Sequence, residues 1–125
     1  MIRYAKMERH KEDFMLRKSE IYQGAFVSQG QGESLPWVLT RIAESHIEAR
    51  TIDGATATVF RSNDPLLEAV SASNAEKSFA RLMARYYRMR RQSQTAEGRE
   101  LAEVMLSSIR NVKASLKSGH FEPLS

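Results

Sequence analysis

Six cations crowd the stretch Asn74 to Gln94, where Lys77, Arg81, Arg85, Arg88, Arg90 and Arg91 meet a single acid, Glu76. At helical periodicity Lys77, Arg81, Arg85 and Arg88 share one side, and Phe79, Leu82, Met83 and Tyr86 share the other. The apolar side suits burial against a neighbour. The cationic side has no use in a core, because a row of like charges repels itself until something anionic lies against it. Five of the six are arginine, whose planar guanidinium makes paired hydrogen bonds to phosphate or carboxylate. The chemistry expected of residues 74–92 is therefore recognition of an anionic surface. The binding residues expected are Lys77, Arg81, Arg85, Arg88 and Arg91, with Tyr87 beside them as an aromatic face on which a base could stack.

Bond-making chemistry finds no comparable support, so the chain is expected not to be an enzyme. Cysteine is absent, which removes disulfides, thiolate zinc sites and a thiol nucleophile together. His10, His46 and His120 fall in separate predicted elements and make no recognisable metal-ligand spacing. The serines sit in no nucleophile elbow. Gly24, Gly30 and Gly32 lack the strand, spacing and lysine of a phosphate-binding loop. Glu44, Glu48 and Asp53 offer carboxylates, but nothing in the spacing brings two of them together. No cofactor and no metal are expected.

The elements that must position the basic helix follow from patterning. With 125 residues, 42% of them hydrophobic and 27% charged, the chain has the makings of one core. Its formal charge of +4 is unevenly spread. Residues 1–60 carry eight basic and eight acidic side chains, whereas residues 61–125 carry eleven against seven. The N-terminus is charged from Arg3 onward, and no apolar run is long enough for a bilayer; a cleaved leader and a membrane partner are not expected, and the cytoplasm is the expected location.

Arg3 to Tyr22 reads as a first helix, with Tyr4, Met7, Phe14 and Ile21 on one seam. That seam could bury against the chain's own core or pair with a second copy, and a homodimer is the favoured of the two. Gln23 to Ser34 is rich in Gln, Gly and Ser and reads as a flexible connector, with a short strand at Ala25–Ser28. Residues 1–33 are thus expected as helix plus connector, and 34–125 as a single compact domain.

Within that domain, Ser34-Leu35-Pro36 has the chemistry of a helix start, and a short helix to about Glu44 would turn Trp37, Val38 and Ile42 inward. From His46 to Phe60 the pattern changes to alternation around Asp53-Gly54, which predicts a β-hairpin with a two-residue turn. Asn63-Asp64-Pro65 introduces another short helix through Val70. The basic helix follows, then a polar turn at Gln92–Thr95. A last helix runs from Thr95 to Ser118-Gly119, with Leu101, Val104, Met105, Ser108, Ile109, Val112 and Leu116 inward.

The expected fold is α+β and mostly helical: one β-hairpin packed on a C-terminal antiparallel helical hairpin, with an N-terminal helix. The expected partner is nucleic acid, DNA or RNA, bound by a small accessory or regulatory protein. The alternative is a protein–protein interaction module, such as an adaptor, inhibitor or secretion-type chaperone, that docks an acidic protein on the same helix.

Overall fold

A computed structural model describes residues 16–30 and 35–124. Among them, alternating and β-branched segments form five strands: β1 (Phe26–Ser28), β2 (Trp37–Ile42), β3 (His46–Thr51), β4 (Ala57–Arg61) and β5 (Glu68–Val70). They make one antiparallel sheet in the order β4-β3-β2-β1-β5, curled into a half-barrel. Two helices follow, α1 (Ala72–Gln92) and α2 (Ala96–Ser118).

The expectation of a mostly helical chain with an N-terminal helix is therefore corrected. Residues 3–15 of the helix predicted over Arg3–Tyr22, including Tyr4, Met7 and Phe14, lie outside the described residues. Leu16–Tyr22 holds only a three-residue 3-10 turn, Lys18–Glu20, and Ile21 packs against the sheet. The predicted helix after Ser34 is the strand β2. Trp37, Val38, Leu39 and Thr40 form a near-continuous run because β2 lies inside the sheet and is covered on both faces, a pattern that hides the alternation of a strand. Leu66–Val70 is likewise no helix: a turn leads into β5, which pairs with β1 from Phe26–Val70 to Ser28–Glu68. The short strand expected at Ala25–Ser28 forms as β1, an inner strand paired with β2 and β5 and remote from β4.

The sheet's two faces carry separate cores. Val27, Leu39, Ile47, Ala49, Phe60 and Leu67 are buried on one, closed by Leu16, Ile21 and Trp37. On the other, Val38 and Ile52 meet Phe79 and Leu82 of α1 and Ile109 and Val112 of α2. Alternation along β1 and β2 sends Phe26 and Val38 toward the helices, and Val27 and Leu39 away from them.

The hairpin of β3 and β4 forms as expected, but its turn does not. Thr51 N donates to Thr56 O at 2.9 Å, so four residues, Ile52 to Ala55, make the loop. The Asp53 carboxylate accepts from Thr51 Oγ1 (2.6 Å) and from Ala55 N (3.0 Å), an aspartate-centred turn that replaces the tight one. The loop is also docked: Ser108 Oγ of α2 donates to Asp53 O at 2.6 Å. Gly54 has a φ of 73°, and a Cβ there would overlap Ser108 Oγ. Gly54→Ala is expected to cost about 2 kcal/mol, from the left-handed backbone together with the displaced serine. The urea midpoint should fall while the slope stays constant.

Both helices begin where side-chain oxygens satisfy first-turn amides. Ser71 Oγ accepts from Asn74 N at 3.1 Å, and Thr95 Oγ1 accepts from Gly98 N at 3.0 Å. Gly119 ends α2 in the left-handed conformation. Only Ser93–Thr95 separate the helices, which pack antiparallel. One expectation fails on α2. Leu101 and Val104 are 52% and 57% exposed, whereas Ala102, Leu106, Ile109 and Val112 are buried. Apolar residues on this helix cover more than one face, and the face that packs is centred about one position away from the predicted stripe.

Candidate binding surface

The long helix α1 supplies the surface. Ala75, Phe79 and Leu82 are buried and Met83 and Tyr86 pack beside them, which fixes the rotation of the helix. Lys77, Arg81, Arg85, Arg88 and Arg91 are left exposed on the opposite side. From Lys77 to Arg91 the row runs about 21 Å at 1.5 Å per residue.

The anions that could have neutralised this row are engaged elsewhere or lie apart. Arg90 is the one cation of the cluster turned toward α2, where it pairs with Glu103. Glu76 lies 4.0 Å from Lys113 Nζ. Among the described residues no carboxylate oxygen lies within 4.0 Å of Lys77, Arg81, Arg85, Arg88 or Arg91. Neighbouring cations one turn apart repel each other by a few tenths of a kcal/mol per pair, so an anion on this face relieves a standing repulsion. Arg88, Arg90 and Arg91 also lie near the C-terminal end of α1, where the helix dipole favours cations.

Tyr87 has a different environment from the row. It is half-buried and stands between the helices. The Arg90 guanidinium lies 5.0 Å from its ring centroid and the Arg110 guanidinium 5.9 Å. Arg110 Nη2 also donates to the Tyr87 hydroxyl at 2.8 Å. The tyrosine is a strut across the α1–α2 seam, held through cation–π contacts. Tyr87→Phe removes that hydroxyl acceptor and is expected to cost about 0.5–1 kcal/mol of stability. Its affinity for any ligand of the basic row should stay within twofold or so of the parent's, an outcome that a gel-shift titration beside a denaturation curve would check.

Next to the row, Arg85, Arg88, Met89, Gln92 and Ser93 line a shallow depression of about 420 Å³. Met89 is the apolar side chain of that depression, while the exposed Leu101 and Val104 belong to α2.

The remaining ionisable groups considered from sequence do not converge. Glu44 is in the β2–β3 turn, and Asp53 spends its carboxylate on its own loop. The Glu48 carboxylate is largely buried, with Oε2 accepting from Arg41 Nη1 at 3.1 Å and lying 3.8 Å from His46 Nε2. His120 Nε2 is 3.9 Å from Glu122, and His10 lies outside the described residues. Sequence reasoning did not single out Arg50, whose neighbours come from distant parts of the chain.

No helix among the described residues is long and apolar enough to cross a membrane. Comparison with protein families, with curated proteins and with solved structures finds no match to this chain.

Proposed function

We propose that this is a small nucleic-acid-binding accessory or regulatory protein that acts through α1 and is not an enzyme. The observation that carries the reading is the row Lys77, Arg81, Arg85, Arg88 and Arg91, exposed and without a carboxylate partner among the described residues. A row of five cations along one helix, four of them guanidinium groups, suits a phosphate backbone, whose charge is continuous and whose neutralisation releases counterions. Readout of individual bases has no support here. Tyr87 is committed to Arg90 and Arg110, and the β5 strand stands where a helix-turn-helix motif would need a helix. Affinity with little sequence preference is the expected behaviour.

A second reading has its own observation. Met89 beside Arg85 and Arg88 in the depression at the end of α1 gives an apolar contact flanked by cations, which suits an acidic protein surface. Nuclease treatment separates the two. Gel shifts with duplex DNA, single-stranded DNA and RNA test the first reading. A partner that stays bound to the immobilised protein after nuclease digestion, and is lost when Arg85 and Arg88 are changed to glutamine, would favour the second.

A further inference from the structure

A cavity of about 210 Å³ opens between the sheet and α2, on the other side of the helical pair from the basic row. The sheet, Gly54 of the β3–β4 loop, α2 and the chain after it build it. The sheet contributes Val38 and Arg50, which are register partners on β2 and β3. The last turns of α2 contribute Asn111, Val112 and Ser115, and the chain after Gly119 folds back to lay Phe121 over the edge. Val38, Val112 and Phe121 belong to the core that joins sheet and helices, so the apolar walls are held by the fold itself.

The polar groups of the cavity divide into those already used and those free. Thr40 Oγ1 donates to Glu48 O at 3.1 Å, and Ser108 Oγ donates to Asp53 O at 2.6 Å. Both hydroxyl protons are taken. Among the described residues, the side chains of Arg50, Asn111 and Ser115 make no hydrogen bond, and Arg50 has no carboxylate within 4.0 Å. Glu122 also lines the cavity, but its side chain is 81% exposed and its carboxylate lies 3.9 Å from His120 Nε2, so it borders the mouth and does not neutralise the interior. Arg50 is half-buried as a residue and has no counter-charge among the described residues, so an anion that reaches its guanidinium beside aliphatic and aromatic walls gains a charge-assisted contact that no carboxylate described there already makes.

We propose that this cavity binds a small carboxylic acid with a short apolar tail. The carboxylate lies against Arg50 and accepts from Asn111 and Ser115, and the tail packs against Val112 and Phe121, above the fully buried Val38. The volume sets the size, since sites for drug-sized molecules run from roughly 300 to 1,000 Å³; a ligand of a few carbons is the fit. Guanidinium selects the carboxylate by its two-pronged geometry, and the apolar walls select against hydrophilic anions.

Hexanoate is a suitable probe, with acetate, hexanol and inorganic phosphate as comparisons, followed by NMR of the full chain. Hexanoate should give saturable shifts at the Arg50 side chain and the Asn111 amide with a Kd of about 1 mM or tighter. Acetate, hexanol and phosphate should bind at least about tenfold more weakly, for want of the tail, the charge and the tail respectively. Arg50→Met should weaken hexanoate by about tenfold or more, the loss of one charge-assisted contact. Ser115→Leu, which fills the cavity from the helix side, should abolish binding and supplies the same comparison if Arg50→Met does not fold. Absence of saturable shifts with hexanoate overturns the proposal, as do equal binding of hexanol and unchanged affinity in a folded Arg50→Met or Ser115→Leu protein. None of these outcomes bears on the basic row, whose ligand is assayed separately.

Discussion

Duplex DNA binding is expected to weaken by roughly 500-fold between about 50 and 200 mM salt if all five exposed cations of α1 neutralise phosphates, because the logarithmic slope is about −0.9 per phosphate. Five contacts give a slope of about −4.5 for a duplex and about −3.5 for a single strand, so the slope also reports which polymer the row prefers. Changing Arg81, Arg85 and Arg88 together to glutamine leaves Lys77 and Arg91, and the duplex slope should flatten to about −1.8. A loss of affinity from misfolding would not change the slope in that way. Stability offers a second control. Lys77–Arg81 and Arg81–Arg85 are one turn apart, as are Arg85–Arg88 and Arg88–Arg91, and glutamine relieves repulsion worth about 0.2–0.5 kcal/mol per pair. The triple variant should therefore melt at or slightly above the parent temperature. A slope near zero in the parent protein, or an unchanged slope in the triple variant, would remove nucleic acid as the ligand of this surface.

Why the exposed face of α1, the β3–β4 hairpin and the short strand near Ala25–Ser28 were legible in the sequence, while β2 and β5 were not, follows from the range of the interactions involved. The cationic and apolar sides of α1 are set by spacing within one helix, and the caps at Ser71 and Thr95 and the stop at Gly119 act within a single turn. Local chemistry of that kind survives into the fold. β2 misled because burial on both faces erases alternation, so that Trp37, Val38 and Ile42 match a helical spacing by accident. β5 spans three residues, too few for any period, and it forms against the edge that β1 presents some forty residues earlier in the chain. Tyr87 shows the same limit within the candidate site. Its place on α1 leaves it beside the cations, but Arg110, twenty-three residues away, supplies the hydrogen bond that gives it a structural task. Arg50 escaped notice for a related reason: as one charge in an alternating strand it is ordinary, and only the arrival of Asn111 and Ser115 around it makes it distinctive.

The orientation of the basic row depends on what α1 buries, and Phe79 is the residue on which that orientation turns. Its side chain is fully buried between the sheet and both helices. The ring meets Phe26 of β1 edge to face, with centroids 6.2 Å apart and planes at 78°, and Lys113 Nζ of α2 lies 5.4 Å from its centroid. One side chain thus ties α1 to an inner strand and to the neighbouring helix. Phe79→Ala removes the buried ring and leaves a cavity that close-packed neighbours fill only in part, an expected loss of about 3–5 kcal/mol. Against a total of about 5–15 kcal/mol for a typical domain, such a loss brings the protein close to unfolding. Leu106→Ala on α2, also fully buried, should cost about 2–5 kcal/mol. Leu101→Ala and Val104→Ala should change stability by no more than about 0.5 kcal/mol, because their side chains already face solvent. Urea denaturation of the four variants reads out the packing register of both helices. If Leu101→Ala proves as costly as Leu106→Ala, the buried face of α2 is centred nearer Leu101 than Leu106.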